Sequence, residues 1–218
     1  MDLDRGSRRT ARLLLDPLRA EDAADVLRVY GDPGTWQHLP QGRMRDLGQA
    51  RAQIERSLVS RQNRGLGMWV VRILPHAADG TLGAGEFLGC GGVRYLEDAG
   101  VWNLGYRLSP RAWGRGFATE IAVAAREAAL EADAGTPLTA RALSSNPASV
   151  AVLEKIGLRL VGERPFPDAP PATAPAPAPA SSGGPSSASS ASDGVPRERI
   201  YADRDLDGAA LRRLLDAG

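Results

Sequence analysis

Arg111-Ala-Trp-Gly114-Arg115-Gly116-Phe117-Ala118 is the stretch on which the reading of this chain turns. It lies between an apolar run ending at Leu108 and an Ala-rich run beginning near Phe117. A Gly-x-Gly turn feeding a helix aligns several backbone N–H groups, and the helix N-terminus adds roughly half a positive charge, so the arrangement suits a phosphate or pyrophosphate. Glycine is needed because side chains would block the approach. Ser109-Pro110 ends the preceding strand, and Arg111 and Arg115 offer cationic donors at the rim. The same turn also reads as a tight connection with two solvated arginines, and taken alone it leaves both readings open. Two phosphate-binding alternatives fail. The spacing is not Gly-x-x-x-x-Gly-Lys-Ser/Thr and no Lys lies nearby, which excludes a nucleotide-hydrolysing P-loop. A dinucleotide fold would want Gly-x-Gly-x-x-Gly in a parallel βαβ unit, whereas the strands before this turn are joined by a hairpin.

Outward from the turn, the element order can be read from periodicity and punctuation. Upstream, Ala11 to Leu18 is strand-like and is stopped by Asp16-Pro17. Glu21 to Tyr30 has a helical apolar face and ends at Gly31-Asp32-Pro33-Gly34, with Thr35 to Pro40 as a loop, and Asp46 to Gln62 repeats the helical pattern through Leu47, Ile54, Leu58 and Val59. Met68 to Leu74, Glu86 to Leu96 and Val101 to Leu108 then form an antiparallel meander, its second connection the tight Glu97-Asp98-Ala99-Gly100. Downstream, Ala118 to Ala132 is a strong helix without Gly or Pro. A strand Leu138 to Leu143, a helix Pro147 to Ile156, strands Leu158 to Glu163 and Glu198 to Ala202, and a short amphipathic helix Ala209 to Leu215 complete the order.

Composition narrows the class. The 218 residues hold 27 basic and 26 acidic side chains, a formal charge of +1, which gives no electrostatic footprint for nucleic acid or an anionic membrane. Cys90 is the single cysteine, so no internal disulfide forms, and with only His38 and His76 beside it a zinc site is not expected. The polar start and the absence of a long apolar run predict a cytoplasmic chain with neither signal peptide nor membrane span. The 25 Gly and 16 Pro exceed what one ordinary fold needs, but nine of the prolines fall within Pro165 to Pro196 together with seven Ser and eight Ala. That stretch is expected to be disordered, and the remainder is a length that one domain fills.

Two motifs together carry a resemblance. Arg-x-x-Gly-x-Gly at 111–116, after the strand Asn103-Leu-Gly-Tyr-Arg-Leu108, is followed by Asn146-Pro-Ala-Ser149-Val-Ala-Val-Leu-Glu-Lys155-Ile-Gly157-Leu. In this order and context the chain resembles the GNAT superfamily of N-acetyltransferases, and more narrowly the branch that acetylates ribosomal-protein N-termini. The resemblance implies an α/β (α+β) fold over residues 1–218: a mixed, mostly antiparallel sheet of about seven strands, helices on both faces, and a V-shaped splay between the fourth and fifth strands. It implies acetyl-CoA as co-substrate, an amine acceptor, and compatibility with a homodimer. The backbone of Tyr106, Arg107 and Leu108 would pair with the pantetheine arm, the amides of Gly114, Arg115, Gly116, Phe117 and Ala118 would hold the pyrophosphate with Arg111 at the rim, and Asn146 would contact the pantetheine region. Ser149 stands where relatives carry a Tyr or Ser that can protonate the departing thiolate. Relatives join the strands matching Leu158–Glu163 and Glu198–Ala202 by a short connection, so the Pro/Ala/Ser stretch, 165–196, becomes an insertion in that hairpin, at a closure cost of only about 2 kcal/mol.

The chemistry implied is direct attack of a neutral amine on the thioester carbonyl, with a base to take the amine proton. Here the chain departs from the pattern, because branch members commonly carry Glu where Asn103 stands. Glu97, Asp98, Glu86 and Glu120 are the candidate bases, Glu120 being equally suited to pairing with an arginine. Cys90, between Gly89 and Gly91, reads as a packed strand residue, His38 as a surface or packing residue in the loop over the acceptor site, and Trp36, Trp102 and Trp113 as core or cleft rim. A protein or peptide N-terminus is the expected acceptor, with a small-molecule amine (aminoglycoside or polyamine) or a catalytically silent CoA-binding domain as alternatives.

Overall fold

The computed structural model describes residues 6–36, 42–166 and 196–216. A two-residue strand β1 (Arg8–Arg9) turns back onto β2 (Leu13–Pro17), and α1 (Ala23–Tyr30) follows. A single helical turn α2 (Pro33–Trp36) occupies the start of the expected loop, and α3 (Leu47–Arg64) runs between an Asp46 side chain that accepts from the Gln49 amide and Gly65 in the left-handed region. Strands β3 (Met68–Ile73), β4 (Phe87–Leu96) and β5 (Val101–Leu108) form the meander. Helix α4 (Phe117–Ala132), strand β6 (Leu138–Leu143), helix α5 (Pro147–Lys155), strands β7 (Arg159–Pro165) and β8 (Arg197–Ala202), and helix α6 (Gly208–Asp216) complete the chain. None of the described helices is long and apolar enough to cross a membrane.

These strands make one sheet in the order β1-β2-β3-β4-β5-β6-β8-β7. Every pair is antiparallel except β5 with β6. The sheet has eight strands rather than about seven, because Arg8–Arg9, too short to give a periodic signal, pairs with Leu14 and Leu15. Period-two alternation sorts the strand residues onto two cores. Leu13, Leu15, Trp69, Val71, Trp102 and Leu104 pack with Ile121, Ala125 and Ala128 of α4, while Met68, Val70, Phe87 and Cys90 pack with Val26, Val29 and Tyr30 of α1 and Ile54 of α3. Ile200 and Val101 face Leu214 of α6. Helices thus cover both faces.

Two local features shape the middle and the far edge of the sheet. The parallel pairing of β5 with β6 covers only Trp102–Leu104 against Leu138–Ala140. Beyond it, Gly105–Leu108 pair with β4 alone and Arg141–Leu143 with β8 alone, so the sheet splays open between them. This is the split expected between the fourth and fifth strands. At the other end of β8, the Phe166 N–H donates to the Pro196 carbonyl at 2.8 Å and closes the hairpin ladder. Residues 167–195, the body of the Pro/Ala/Ser stretch read as an insertion, lie outside the described residues.

Helix α4 approaches the sheet closely because β4 has no side chain at Gly91: a Cβ built there would lie 2.5 Å from Cγ2 of Ile121 and 3.3 Å from Cβ of Tyr106. Gly91→Val is therefore expected to push α4 off the sheet and destabilise the fold by about 1–3 kcal/mol. Thermal unfolding checks this; an unchanged melting temperature would mean that the contact is not formed.

Candidate active site

The turn from Arg111 to Ala118 takes the shape that phosphate binding needs. After Leu108 a 3-10 turn, Pro110–Ala112, leads through Trp113 to Gly114 and Gly116, at φ 72° and 77°. Gly116 is the N-cap of α4, and no side chain caps that end. The first intrahelical bond runs from the Glu120 N–H to the Gly116 carbonyl at 3.1 Å, so the amides of Phe117, Ala118 and Thr119 have no acceptor within the helix. All three residues line a cavity of about 590 Å³ that runs through the splay. Three aligned donors at a helix N-terminus, with open space in front of them, fit a phosphate.

Two arginines of the turn behave differently from the sequence reading. Arg111 donates to the Glu86 carboxylate at 2.8 Å and to the Thr81 carbonyl, and Arg115 is paired with Asp79 and bonded to the Thr81 hydroxyl. Neither lines the cavity. The Thr81 hydroxyl first, then Arg115 and the Leu82 amide, hold the Asp79 carboxyl well below the ordinary range, so this clamp stays ionised across the working pH range. The β3–β4 loop thereby braces the turn from outside. Glu120 braces it from the other side, accepting from the Thr10 hydroxyl and from the amide and Nε of Arg12, while Arg12 Nη1 donates to the Arg115 carbonyl at 2.8 Å. Burial alone would raise the Glu120 pKa, but those hydrogen bonds outweigh it and the net shift is downward. Glu120 is a structural strut, engaged on both carboxylate oxygens.

The remaining predicted residues gather on the same cavity. Tyr106, Arg107, Leu108, Gly114, Gly116, Phe117, Ala118, Asn146 and Ser149 all line it, along with Trp113 at its rim. The Asn146 side-chain oxygen caps α5 by accepting from the Ser149 N–H at 3.1 Å. That cap fixes Ser149, whose hydroxyl lies 3.0 Å from the Tyr106 phenol. Burial raises the Tyr106 pKa, the bond to Ser149 acting in the opposite sense. Sequence reasoning assigned Tyr106 by its backbone alone. Its phenol belongs to the site as well, and the two-residue alternation that puts Leu104 and Tyr106 on the α4 side was the signal available.

None of the four candidate bases reaches the cavity. Glu97 pairs with Arg64 at 2.7 Å, Glu86 with Arg111, Glu120 with Arg12, and Asp98 sits exposed in the β4–β5 turn. The one carboxylate among the described lining residues is Glu198 of β8, missed because the sequence showed it only as the start of a short strand. It accepts from Arg164 Nε at 2.8 Å and from Arg141 at 3.4 Å. Thr35, Arg107, Arg141, Phe166 and Glu198 line the same cavity. Asn103 sits opposite Arg94 and Thr139 in its two ladders, outside the cavity lining, and its buried Oδ1 has no partner among the described residues. Cys90 is buried with its thiol pushed up by desolvation, as a packed strand residue should be. Trp102 is core, the Trp36 indole donates to the Gly31 carbonyl, and His38 lies outside the described residues.

Comparison with known proteins agrees with this geometry. The family model described as an acetyltransferase (GNAT) domain matches residues 12–159. The protein YkkB of Bacillus subtilis is 28% identical over 152 residues, 68% of this chain and 83% of that protein. An acetyltransferase of Agrobacterium tumefaciens superposes with a TM-score of 0.63 at 23% identity, covering 94% of this chain and 98% of the other. RimL, a ribosomal L7/L12 alpha-N-protein acetyltransferase solved with coenzyme A, gives 0.60 at 15% identity over 91% and 96% of the two chains. The element order, the splayed sheet and the family match together establish that this chain belongs to the GNAT family of acetyltransferases, whose co-substrate is acetyl-CoA.

Proposed function

We propose that the chain acetylates a primary amine, most directly the N-terminal amine of a protein or peptide, within the cavity that runs through the β5–β6 splay. The observation behind this reading is that one cavity is lined both by the start of α4, whose first amides have no acceptor within the helix, and by polar side chains that include Arg107, Arg141 and Glu198. The fold likeness to RimL makes a protein N-terminus the first acceptor to try.

The role of each residue follows from its chemistry. Bound acetyl-CoA supplies the activated acetyl carbonyl. The amides of Gly114 to Thr119 receive its pyrophosphate, with Gly116 placed so that no side chain intervenes. The β5 edge from Gly105 to Leu108, unpaired on the splayed side, offers backbone groups to an extended ligand in the manner of an added strand. Ser149, hydrogen-bonded to the Tyr106 phenol, delivers a proton to the departing thiolate; phenol is the stronger acid of the two and resupplies the serine. Glu198 takes the amine proton, directly or through a water, because it is the carboxylate that faces the cavity.

Three outcomes test these roles after an acceptor has been found by mass spectrometry on a peptide and amine panel. Ser149→Ala and Tyr106→Phe are each expected to lower kcat about tenfold, and the double variant little further, because the pair acts as one donor. Since burial keeps the Tyr106 phenol protonated to higher pH than usual, the wild-type rate should show no alkaline decline below about pH 10. Full additivity of the two losses would separate the residues. Glu198→Gln is expected to cost about a hundredfold, mostly in kcat. If kcat survives and only the melting temperature falls, Glu198 is a structural partner of Arg141 and Arg164 and not the base.

A further inference from the structure

We propose that the acceptor carries an anionic group, a carboxylate or a phosphate, on the same molecule as the reacting amine, and that the Arg107 guanidinium receives it. The proposal rests on reading this cavity as the acetyl-transfer site. Arg107 leaves β5 on the face opposite Tyr106, toward α1. Its guanidinium lies 4.6 Å from the centre of the Tyr30 ring and donates Nη1 to the Gly42 carbonyl at 2.7 Å. Those two contacts fix the group in place and use one of its five N–H donors. Neither is an anion. No carboxylate pairs with Arg107 among the described residues, and the adjoining segment 37–41 contains no Asp or Glu.

This contrasts with the other arginines around the cavity. Arg12, Arg111 and Arg115 have Glu120, Glu86 and Asp79 as their counterions. Arg141 and Arg164 both pair with Glu198, the one carboxylate among the described lining residues, and Arg107 pairs with no carboxylate among the described residues. Arg94 adds a further cation on the same face of the sheet, and its electrostatic neighbours are Arg56 and Arg141. Desolvation bears on both Arg94 and Arg107 and disfavours their charged forms, although a guanidinium does not give up its proton. A partly buried charge without a counterion is costly, and a ligand anion would remove that cost.

The anion is not supplied by the co-substrate's pyrophosphate. The amide turn belongs to the α4 side of the sheet, whereas Arg107 sits over Tyr30 on the α1 side. A planar guanidinium whose remaining donors meet no acceptor among the described residues matches a carboxylate or phosphate edge, and its positive charge repels a polycation. Of the acceptors open on sequence, polyamines and aminoglycosides are thereby disfavoured, and an N-terminus followed by an acidic or phosphorylated residue is favoured.

The test is steady-state acetyl transfer by the wild-type protein to peptides identical except for Glu, phosphoserine, Gln or Lys at the second residue, with glutamate, phosphoethanolamine and spermidine as small-molecule arms. The expected order of kcat/KM is anionic over neutral over cationic, with at least about a tenfold gap between Glu and Gln peptides, and Arg107→Gln closes that gap. The peptide and small-molecule arms distinguish whether the anion sits on a chain or on a small amine. Equal turnover of anionic and cationic acceptors by the wild type overturns the proposal while leaving amine acetylation intact. Release of CoA with none of the acceptors overturns both. Should Arg107→Gln weaken acetyl-CoA binding without acceptor present, the guanidinium belongs to the co-substrate and the proposal fails. The wild-type preference stands as a test even if the variant does not fold.

Discussion

The whole site depends on a pairing that stops. Strands β5 and β6 are joined through three residues each, anchored where the buried Thr139 hydroxyl donates to the Trp102 carbonyl at 2.8 Å, and then part. Neither strand is left without structure, because β4 holds β5 and β8 holds β6 along the parted stretches. The gap is therefore rigid on both sides. Backbone groups that would otherwise complete the sheet face a cavity instead, and unsatisfied backbone groups beside an accessible cavity are what an extended ligand can pair with.

Everything else in the architecture holds chemical groups around that gap. Gly91 lets α4 lie close on β4, which brings the N-terminus of α4 to one side of the splay. The Asp79–Arg115, Glu86–Arg111 and Glu120–Arg12 pairs brace the glycine turn from both flanks. Exposed ion pairs contribute little to stability singly, and their value here is positional: they keep charged side chains off the amides that must meet a ligand. On the opposite side of the splay, α5 is capped by Asn146 so that Ser149 meets Tyr106. Glu198, paired with Arg164 and Arg141, lines the same cavity as Arg107.

The legible part of this arrangement was local. Glycine spacing, an Ala-rich helix and turn residues are nearest-neighbour signals, and from them the order of elements and the turn 111–118 could be read in advance; Tyr106 to Leu108, Asn146, Ser149 and the splay came with the family resemblance that those signals carry. What the sequence did not disclose depends on contacts between residues far apart in the chain. Glu120 meets Arg12 across more than a hundred residues, and Glu198 reaches the cavity only because β8 inserts between β6 and β7. Arg8–Arg9 became a strand by pairing, not by propensity. Arg107 could not be distinguished from 25 other arginines by spacing; that it has no counterion among the described residues becomes visible only when the fold has placed their acids.

The central claim is that the glycine turn and the splay together form the acetyl-CoA site, and calorimetric titration of acetyl-CoA into the wild type and Gly116→Asp tests it most directly. At φ 77° an Asp is strained by about 1–2 kcal/mol and sets a carboxylate among the amides of Phe117 to Thr119, yet the turn is at the surface and the fold should persist. The expected result is saturable binding by the wild type and none detectable for a folded Gly116→Asp. Equal affinity of the two proteins would contradict the claim and place the co-substrate elsewhere.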